Sequence, residues 1–211
     1  MPKRLAIPAA AAWLALLALA LALSVLAASH DHLAGDTGIS HWAQDLPFPG
    51  TPLADFVRRI TETEVVIATG FTIVLILWLR GYQRQAVVLA GALLLLGALA
   101  VLVKAAVDRP RPDPSLVIRR AGFDGSSFPS GHVLSATVLY GFMLYLAATL
   151  ALPALPRITL AAVSAFFLTM VGPASVYLGV HWPSDVLGGW AWALLILSLA
   201  IGADRFLALK Y

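Results

Sequence analysis

Long apolar runs separated by short polar islands organise this chain. Runs with almost no charge cover residues 5–29, 65–79, 86–103, 133–156, 158–185 and 186–203, with His181 near the end of the fifth. About 20 apolar residues in a helix cross a hydrocarbon core of about 30 Å, so each run predicts a membrane span. The second run is short and reaches spanning length by recruiting residues 60–64 at its outer end. The expected fold is therefore all-α and polytopic, with six transmembrane helices and both termini on one side. Gly35, Gly38, Pro47, Pro49, Gly50 and Pro52 break residues 30–62 into an extramembrane connection. Within it, Leu53, Phe56, Val57 and Ile60 fall opposite Asp55, Arg58 and Arg59, which predicts a short helix over 53–60 lying on the bilayer surface. Residues 80–84 and 152–157 are read as the tight loops between the second and third and the fourth and fifth spans. Lys3 and Arg4 before the first run, with Val25-Leu26-Ala27 as a cleavage-like context, invite a signal-peptide reading. The run is longer than the roughly 7–15 residues of a signal core, so a retained first span is expected.

Composition strengthens the membrane reading and narrows the chemistry. Of 211 residues, 60% are hydrophobic and 12% charged, with a mean hydropathy of +0.87, outside the range of soluble globular domains. There is no cysteine, which removes disulfides and thiolate chemistry and leaves histidine, serine, acids and bases as reactive groups. A formal charge of +3, with arginines scattered among loops rather than gathered on one helix face, is too small to suggest a nucleic-acid partner, and none is expected. The bilayer and its lipids are the expected partners, and no feature points to a protein partner.

Three polar islands at the edges of the apolar runs carry the candidate chemistry. In residues 104–112, Lys104, Arg109 and Arg111 gather around Pro110 and Pro112 beside Asp108. Lone cations there would be read as snorkelling to lipid head groups, but three in so short a stretch suggest an anion site. In residues 126–132, Phe128-Pro129-Ser130-Gly131-His132 precedes the fourth span, which puts Ser130, Gly131 and His132 in its first turn. The free N–H groups and dipole of such a turn cradle anions, and Gly131 permits close approach. In residues 176–188, His181 stands just before Pro183, a residue suited to a first helical position, so Asp185 falls in the opening turn of the sixth span. A carboxylate there can accept the Nδ1 proton of His181 and leave Nε2 as a nucleophile; a purely structural His–Asp bond is the alternative for the pair alone.

The combined inventory of cations, an anion cradle, one oriented histidine and one further histidine meets the needs of in-line phosphoryl transfer. No cluster has the ligand density of a two-metal site, and no metal or other cofactor is expected. His30, His32 and His41, with Asp31 and Asp36, are read as solvated loop residues. Trp182, Trp190 and Trp192 are read as packing or interfacial residues.

In these motifs the chain resembles the type 2 phosphatidic acid phosphatase superfamily, the lipid phosphate phosphatases, whose pattern is K-x6-R-P, P-S-G-H and S-R-x5-H-x3-D. The first element matches Lys104 to Arg111-Pro112, the second Pro129-Ser130-Gly131-His132, and the third ends in His181-x3-Asp185. The resemblance spans the third to sixth spans and implies a single integral membrane phosphatase domain over 1–211 with its motif-bearing core at 86–206. It further implies that His181 forms a phosphohistidine, Asp185 orients it, His132 is the general acid, and Lys104, Arg111, Ser130 and Gly131 hold phosphate. One position departs: Ala174-Ser175 stands where the family has S-R. Losing one preorganised donor to a transition-state anion costs about 3–4 kcal/mol. Three readings stay open. Ser175 is an inactivating replacement, favoured because the surrounding V-Y-L-G-V-H-W-P-S-D is intact; Arg109, Arg119 or Arg120 substitutes for the missing cation; or the chain is a weakened, lipid-binding relative.

Orientation rests on basic residues. Lys3, Arg4, Arg80, Arg84, Arg157, Arg205 and Lys210 on the termini side balance Arg58, Arg59, Lys104, Arg109, Arg111, Arg119 and Arg120 on the other. Most of the second group sits among the polar islands, where function explains it, so the flank of the first span places both termini in the cytoplasm of a bacterial-type inner membrane. The expected substrate is a lipid phosphate or diphosphate at the outer leaflet: undecaprenyl pyrophosphate, phosphatidylglycerophosphate, phosphatidic acid or a lipid A phosphate. Lipid-to-lipid phosphotransfer is the enzymatic alternative to hydrolysis.

Overall fold

In the computed structural model, which describes residues 3–47, 49–122 and 125–209, the described residues form eight helices and no strand. They are α1 (Lys3–Ser29), α2 (Asp36–Asp45), α3 (Thr51–Ile60), α4 (Thr63–Leu79), α5 (Gln83–Val107), α6 (Gly131–Thr149), α7 (Ala154–Tyr177) and α8 (Pro183–Ala208). Five are long and apolar enough to cross a membrane, and α3 and α4, bent by 53° across Thr61-Glu62, meet the same length and apolarity only when taken together. The chain is a multi-pass membrane protein. Lys210 and the side chains of Lys3 and Arg4, counted above for orientation, lie outside the described residues.

Helix α6 is the axis of the bundle, with 83% of its spanning window buried against 50% or less for the other four. That is why it tolerates His132, Ser135 and Thr137 in an otherwise apolar span: these residues face protein, not lipid. Around it, Leu89, Leu93 and Leu96 of α5, Phe142 and Leu146 of α6 and Ile196 of α8 form one core. Ala54 and Val57 of α3 pack with Tyr140 of α6 and Phe167 and Val171 of α7 in a second. Helix α1 packs Ala20 against Ala191 and Leu195 of α8, and Trp192 donates its Nε1 hydrogen to Ser24 Oγ at 3.2 Å. At the end of the bundle that holds the C-terminus of α8, Asp204 pairs with Arg84 at 2.9 Å and accepts from Tyr145 at 2.8 Å, tying α5, α6 and α8 together.

The connection between the first two spans differs from the sequence expectation in two ways. It contains α2 as well as the anticipated short helix. The latter buries Ala54 and Val57 against α7 rather than resting on lipid alone, although Phe56 remains 49% exposed. Glycines and prolines at its borders made the α2 stretch read as coil; burial of Asp36, Ser40 and Gln44 against distant parts of the chain holds it as a helix. Asp36, expected in a solvated loop, is 3% exposed.

Candidate active site

The three polar islands meet at the end of the bundle opposite Asp204. Lys104 lies in the last turn of α5, Ser130 caps α6, and Pro183 occupies the first turn of α8. Two glycines make the meeting possible. Gly179, in the turn from α7 to His181, has φ +66, and a Cβ there would stand 2.3 Å from Ile118 O. A Cβ on Gly188 would stand 2.2 Å from the Phe128 ring, so a larger residue would push α8 off the Phe128-Pro129-Ser130 segment. With that approach allowed, Ser130 N donates to Asp185 O at 3.0 Å and couples the second island to the third.

Lys104, Arg111, Gly131, His132 and His181 line one cavity of about 270 Å3, with Glu62, Thr63, Glu64, Gly125 and Ser126 completing its wall. Lys104 Nζ is held by Ser126 O at 2.9 Å. Arg111 is fixed by Nη1 to Val180 O at 2.8 Å and Nε to Gly125 O at 3.2 Å. The histidine rings lie edge to face, 6.2 Å between centroids. A Cβ on Gly131 would meet Thr63 Oγ1 at 3.1 Å and Lys104 Cε at 3.8 Å, so glycine leaves open the space an anion would enter.

The tautomer of His181 follows from its neighbours. Arg111 Nη1 lies 3.3 Å from His181 Nε2, and because guanidinium only donates, Nε2 must present its lone pair. The ring proton then sits on Nδ1, which faces Asp185 Oδ2 at 3.6 Å, longer than a formed hydrogen bond. His181 lies between α7 and α8 and is 1% exposed. Burial outweighs the favourable Asp185 carboxylate and lowers the imidazole to about 4, with Arg111 and Lys104 adding to the shift. At neutral pH the ring is uncharged, with its lone pair toward the cavity.

Asp185 is placed by its own helix. Its Oδ2 accepts from Trp182 N at 2.8 Å, capping the first turn of α8, and also from Ser127 Oγ. Its Oδ1 accepts from Arg109 Nη1 at 2.6 Å. Arg109 and Arg111 thus grip opposite ends of the His181–Asp185 pair. Arg109 is 1% exposed and not part of the cavity wall; its other bonds go to Ser184 Oγ at 2.8 Å, Asp36 Oδ2 at 3.1 Å and His30 O at 3.2 Å.

The remaining sequence candidates fall elsewhere. Ser130 is fully buried, and its Oγ has no hydrogen-bond partner among the described residues. Ser175 Oγ bonds back to Val171 O at 2.7 Å within α7, and the residue is absent from the cavity wall. Arg120 donates to Tyr177 O at 2.8 Å and lies 4.4 Å over the Tyr177 ring. Arg119 and Arg120 border a separate surface depression with Pro114. Trp182 is 2% exposed, packed in the protein and 5.6 Å from the His32 ring.

Sequence reasoning missed Glu62, Thr63 and Glu64 as cavity residues, and Arg58, which lies within electrostatic reach of His132 and pairs with Glu62 at 3.4 Å. Their one signal was position, at the outer end of the second span on the side of the islands. Ser135 Oγ donates to Thr61 O at 3.1 Å and pins this elbow to α6.

The chain is similar to known proteins in sequence and in fold. Phosphatidylglycerophosphatase B of Bacillus subtilis (strain 168) is 34% identical over 105 residues, 49% of this chain and 50% of that protein. The match therefore spans about half the length of this curated relative. The crystal structure of a transmembrane PAP2-type phosphatidylglycerolphosphate phosphatase from Bacillus subtilis superposes with a TM-score of 0.74 at 23% identity, covering 92% of this chain and 96% of that one, and shows a shared fold. The PAP2 superfamily model matches residues 85–206, a stretch holding every motif residue from Lys104 to Asp185 and more than half of the chain, which therefore belongs to the PAP2 superfamily.

Proposed function

We propose that the chain is a membrane phosphatase that hydrolyses a phosphate ester of a lipid through a phosphohistidine at His181. The observation that carries this reading is the arrangement in one cavity: the Nε2 lone pair of His181 beside the Arg111 guanidinium, with Lys104, Gly131 and His132 around the same space. Nε2 attacks phosphorus and forms the N–P bond as the P–O bond to the lipid alcohol breaks. His132 gives its proton to the departing oxygen, which would otherwise be a poor leaving group. Lys104, Arg111 and the N–H groups opening α6 neutralise the phosphoryl oxygens. In the second step His132 accepts a proton from water as it attacks phosphorus, the N–P bond breaks, and inorganic phosphate leaves.

Charge neutralisation by these side chains is proposed to suffice without a metal ion, so turnover should persist in excess chelator. A cavity where the spans emerge suits an amphiphile whose tail stays in lipid while its phosphate enters. The name of the Bacillus relative supports phosphatidylglycerophosphate as the first substrate to assay, ahead of phosphatidic acid, undecaprenyl pyrophosphate and lipid A. We place the site on the outer face of a bacterial inner membrane, with both termini in the cytoplasm.

Ser175 slows turnover in this reading rather than abolishing it, because Lys104 and Arg111 keep their places. The test is release of inorganic phosphate from a panel of these lipids by purified protein, with His181→Ala as control and Ser175→Arg beside it. Phosphate release by the parent that His181→Ala removes is the expected result. Lipid binding without turnover in both the parent and Ser175→Arg would overturn it, and transfer of labelled phosphate to lipid hydroxyls without free phosphate would convert it to phosphotransfer.

A further inference from the structure

Behind the proposed nucleophile lies a buried charge chain that runs from Asp185 through Arg109 to Asp36, a residue outside the motifs. Asp36, the first residue of α2, accepts from Ser184 N at 2.9 Å through Oδ1, and from Ser184 Oγ at 2.6 Å, Arg109 Nη2 at 3.1 Å and Leu33 N at 2.7 Å through Oδ2. Arg109 in turn donates at 2.6 Å to Asp185 Oδ1. Both ion pairs are almost completely withdrawn from solvent: Arg109 and Asp185 side chains are 0% exposed and Asp36 4%. One guanidinium therefore serves two carboxylates, leaving a net negative charge shared between Asp36 and Asp185.

The sharing matters because Asp185 must favour positive charge on His181 when Nε2 bonds to phosphorus. An Arg109 whose charge fell wholly on Asp185 would cancel that carboxylate at short range in a site of low effective dielectric. Asp36 takes half of the Arg109 fork and, through both bonds to Ser184, also fixes the first turn of α8 that carries Asp185.

We infer that Asp36 is a positioning residue for phosphohistidine formation, acting through Arg109 and Ser184 to hold Asp185 in place and keep it electrostatically effective toward His181. The inference rests on the phosphatase reading above. It assigns to α2 a task in the reaction, although α2 contributes nothing to the cavity wall.

The experiment compares purified parent, Asp36→Asn and His181→Ala for phosphate release from phosphatidylglycerophosphate in mixed micelles, with kcat, KM and the acid limb of kcat/KM measured for active forms. Phosphate release by the parent that His181→Ala abolishes sustains the phosphatase reading whatever Asp36→Asn does, so the two failures separate. Asn keeps the size of Asp36 and one acceptor but removes the charge. The expected result is a kcat lower by tenfold or more, KM within twofold, and an acid limb displaced to lower pH. The sign follows from the charged and titratable groups facing His181: Asp185 with Arg109 and Asp36 behind it, and Arg111, Lys104, His132, Glu62 and Glu64 from the cavity side. Removing a negative charge from this set disfavours the imidazolium. A merely structural loosening would admit water, relieve the burial of His181 and move the limb up toward the ordinary imidazole value. An upward shift, or a kcat within twofold of the parent, overturns the proposal.

Discussion

Arg111→Ala tests whether the cavity stabilises a transition state or only binds a phosphate. The guanidinium is preorganised by Val180 O at 2.8 Å and Gly125 O at 3.2 Å, and it points its Nη1 at His181 Nε2 from 3.3 Å. A phosphorus attacked by Nε2 would carry its equatorial oxygens beside that head. Loss of one preorganised donor of this kind costs about 3–4 kcal/mol of transition-state stabilisation, or roughly a hundred- to a thousandfold in rate. Lys104, held separately by Ser126 O, remains to bind the ground-state anion, so the loss should appear in kcat with KM changed by less than about fivefold. Arg111→Lys restores charge but not the fork and should recover about tenfold at most. The assay is steady-state phosphate release in detergent micelles, with quench trapping of acid-labile phosphoenzyme in a single turnover. A kcat for Arg111→Ala within threefold of the parent, or a loss confined to KM, would refute the assignment of Arg111 to the transition state.

Three further outcomes are expected. Because burial lowers His181 to about 4, the nucleophile is neutral above that value, and kcat/KM should hold through pH 6.5 and fall only as pH drops through about 4; an acid limb near 6.5 would contradict this environment. Arg109→Met leaves Asp36 and Asp185 buried without their shared cation and should destabilise the protein by about 3–5 kcal/mol, read as the loss of folded protein on heating in detergent. Ser175→Arg should raise kcat by ten- to a hundredfold. If it leaves phosphate release unchanged while His181→Ala abolishes it, a cation such as Arg58 near His132 already fills the role.

Much of the architecture was legible because lipid imposes a simple rule on helices: they must be long, apolar and internally hydrogen-bonded. Spans α1 and α5 through α8 follow it, and polar islands at their ends stood out because charge is scarce between them. Local chemistry placed several groups as well. Pro183 opens α8, and Asp185 sits three residues beyond the cap with its carboxylate on Trp182 N.

What was not legible depended on partners far away in the chain. Helix α2 looks like a coil when read alone, because its stability comes from Asp36 bonding to Arg109 and Ser184, and from Gln44 bonding to Ile118 and Tyr177. Arg109 and Arg111 are two residues apart and chemically identical. Only the folded chain turns one onto Asp185 and the other onto His181. The sequence by itself determined a membrane-embedded helical bundle and singled out the two histidines, the carboxylate and the cations of the candidate site, since periodicity, helix-end chemistry or scarcity of charge marks each of them. The tertiary structure decided which cation meets which group, brought Glu62 and Glu64 into the cavity wall and buried Asp36 behind Asp185, because those placements follow from the packing of α2, the α3–α4 elbow and α8 rather than from any local pattern.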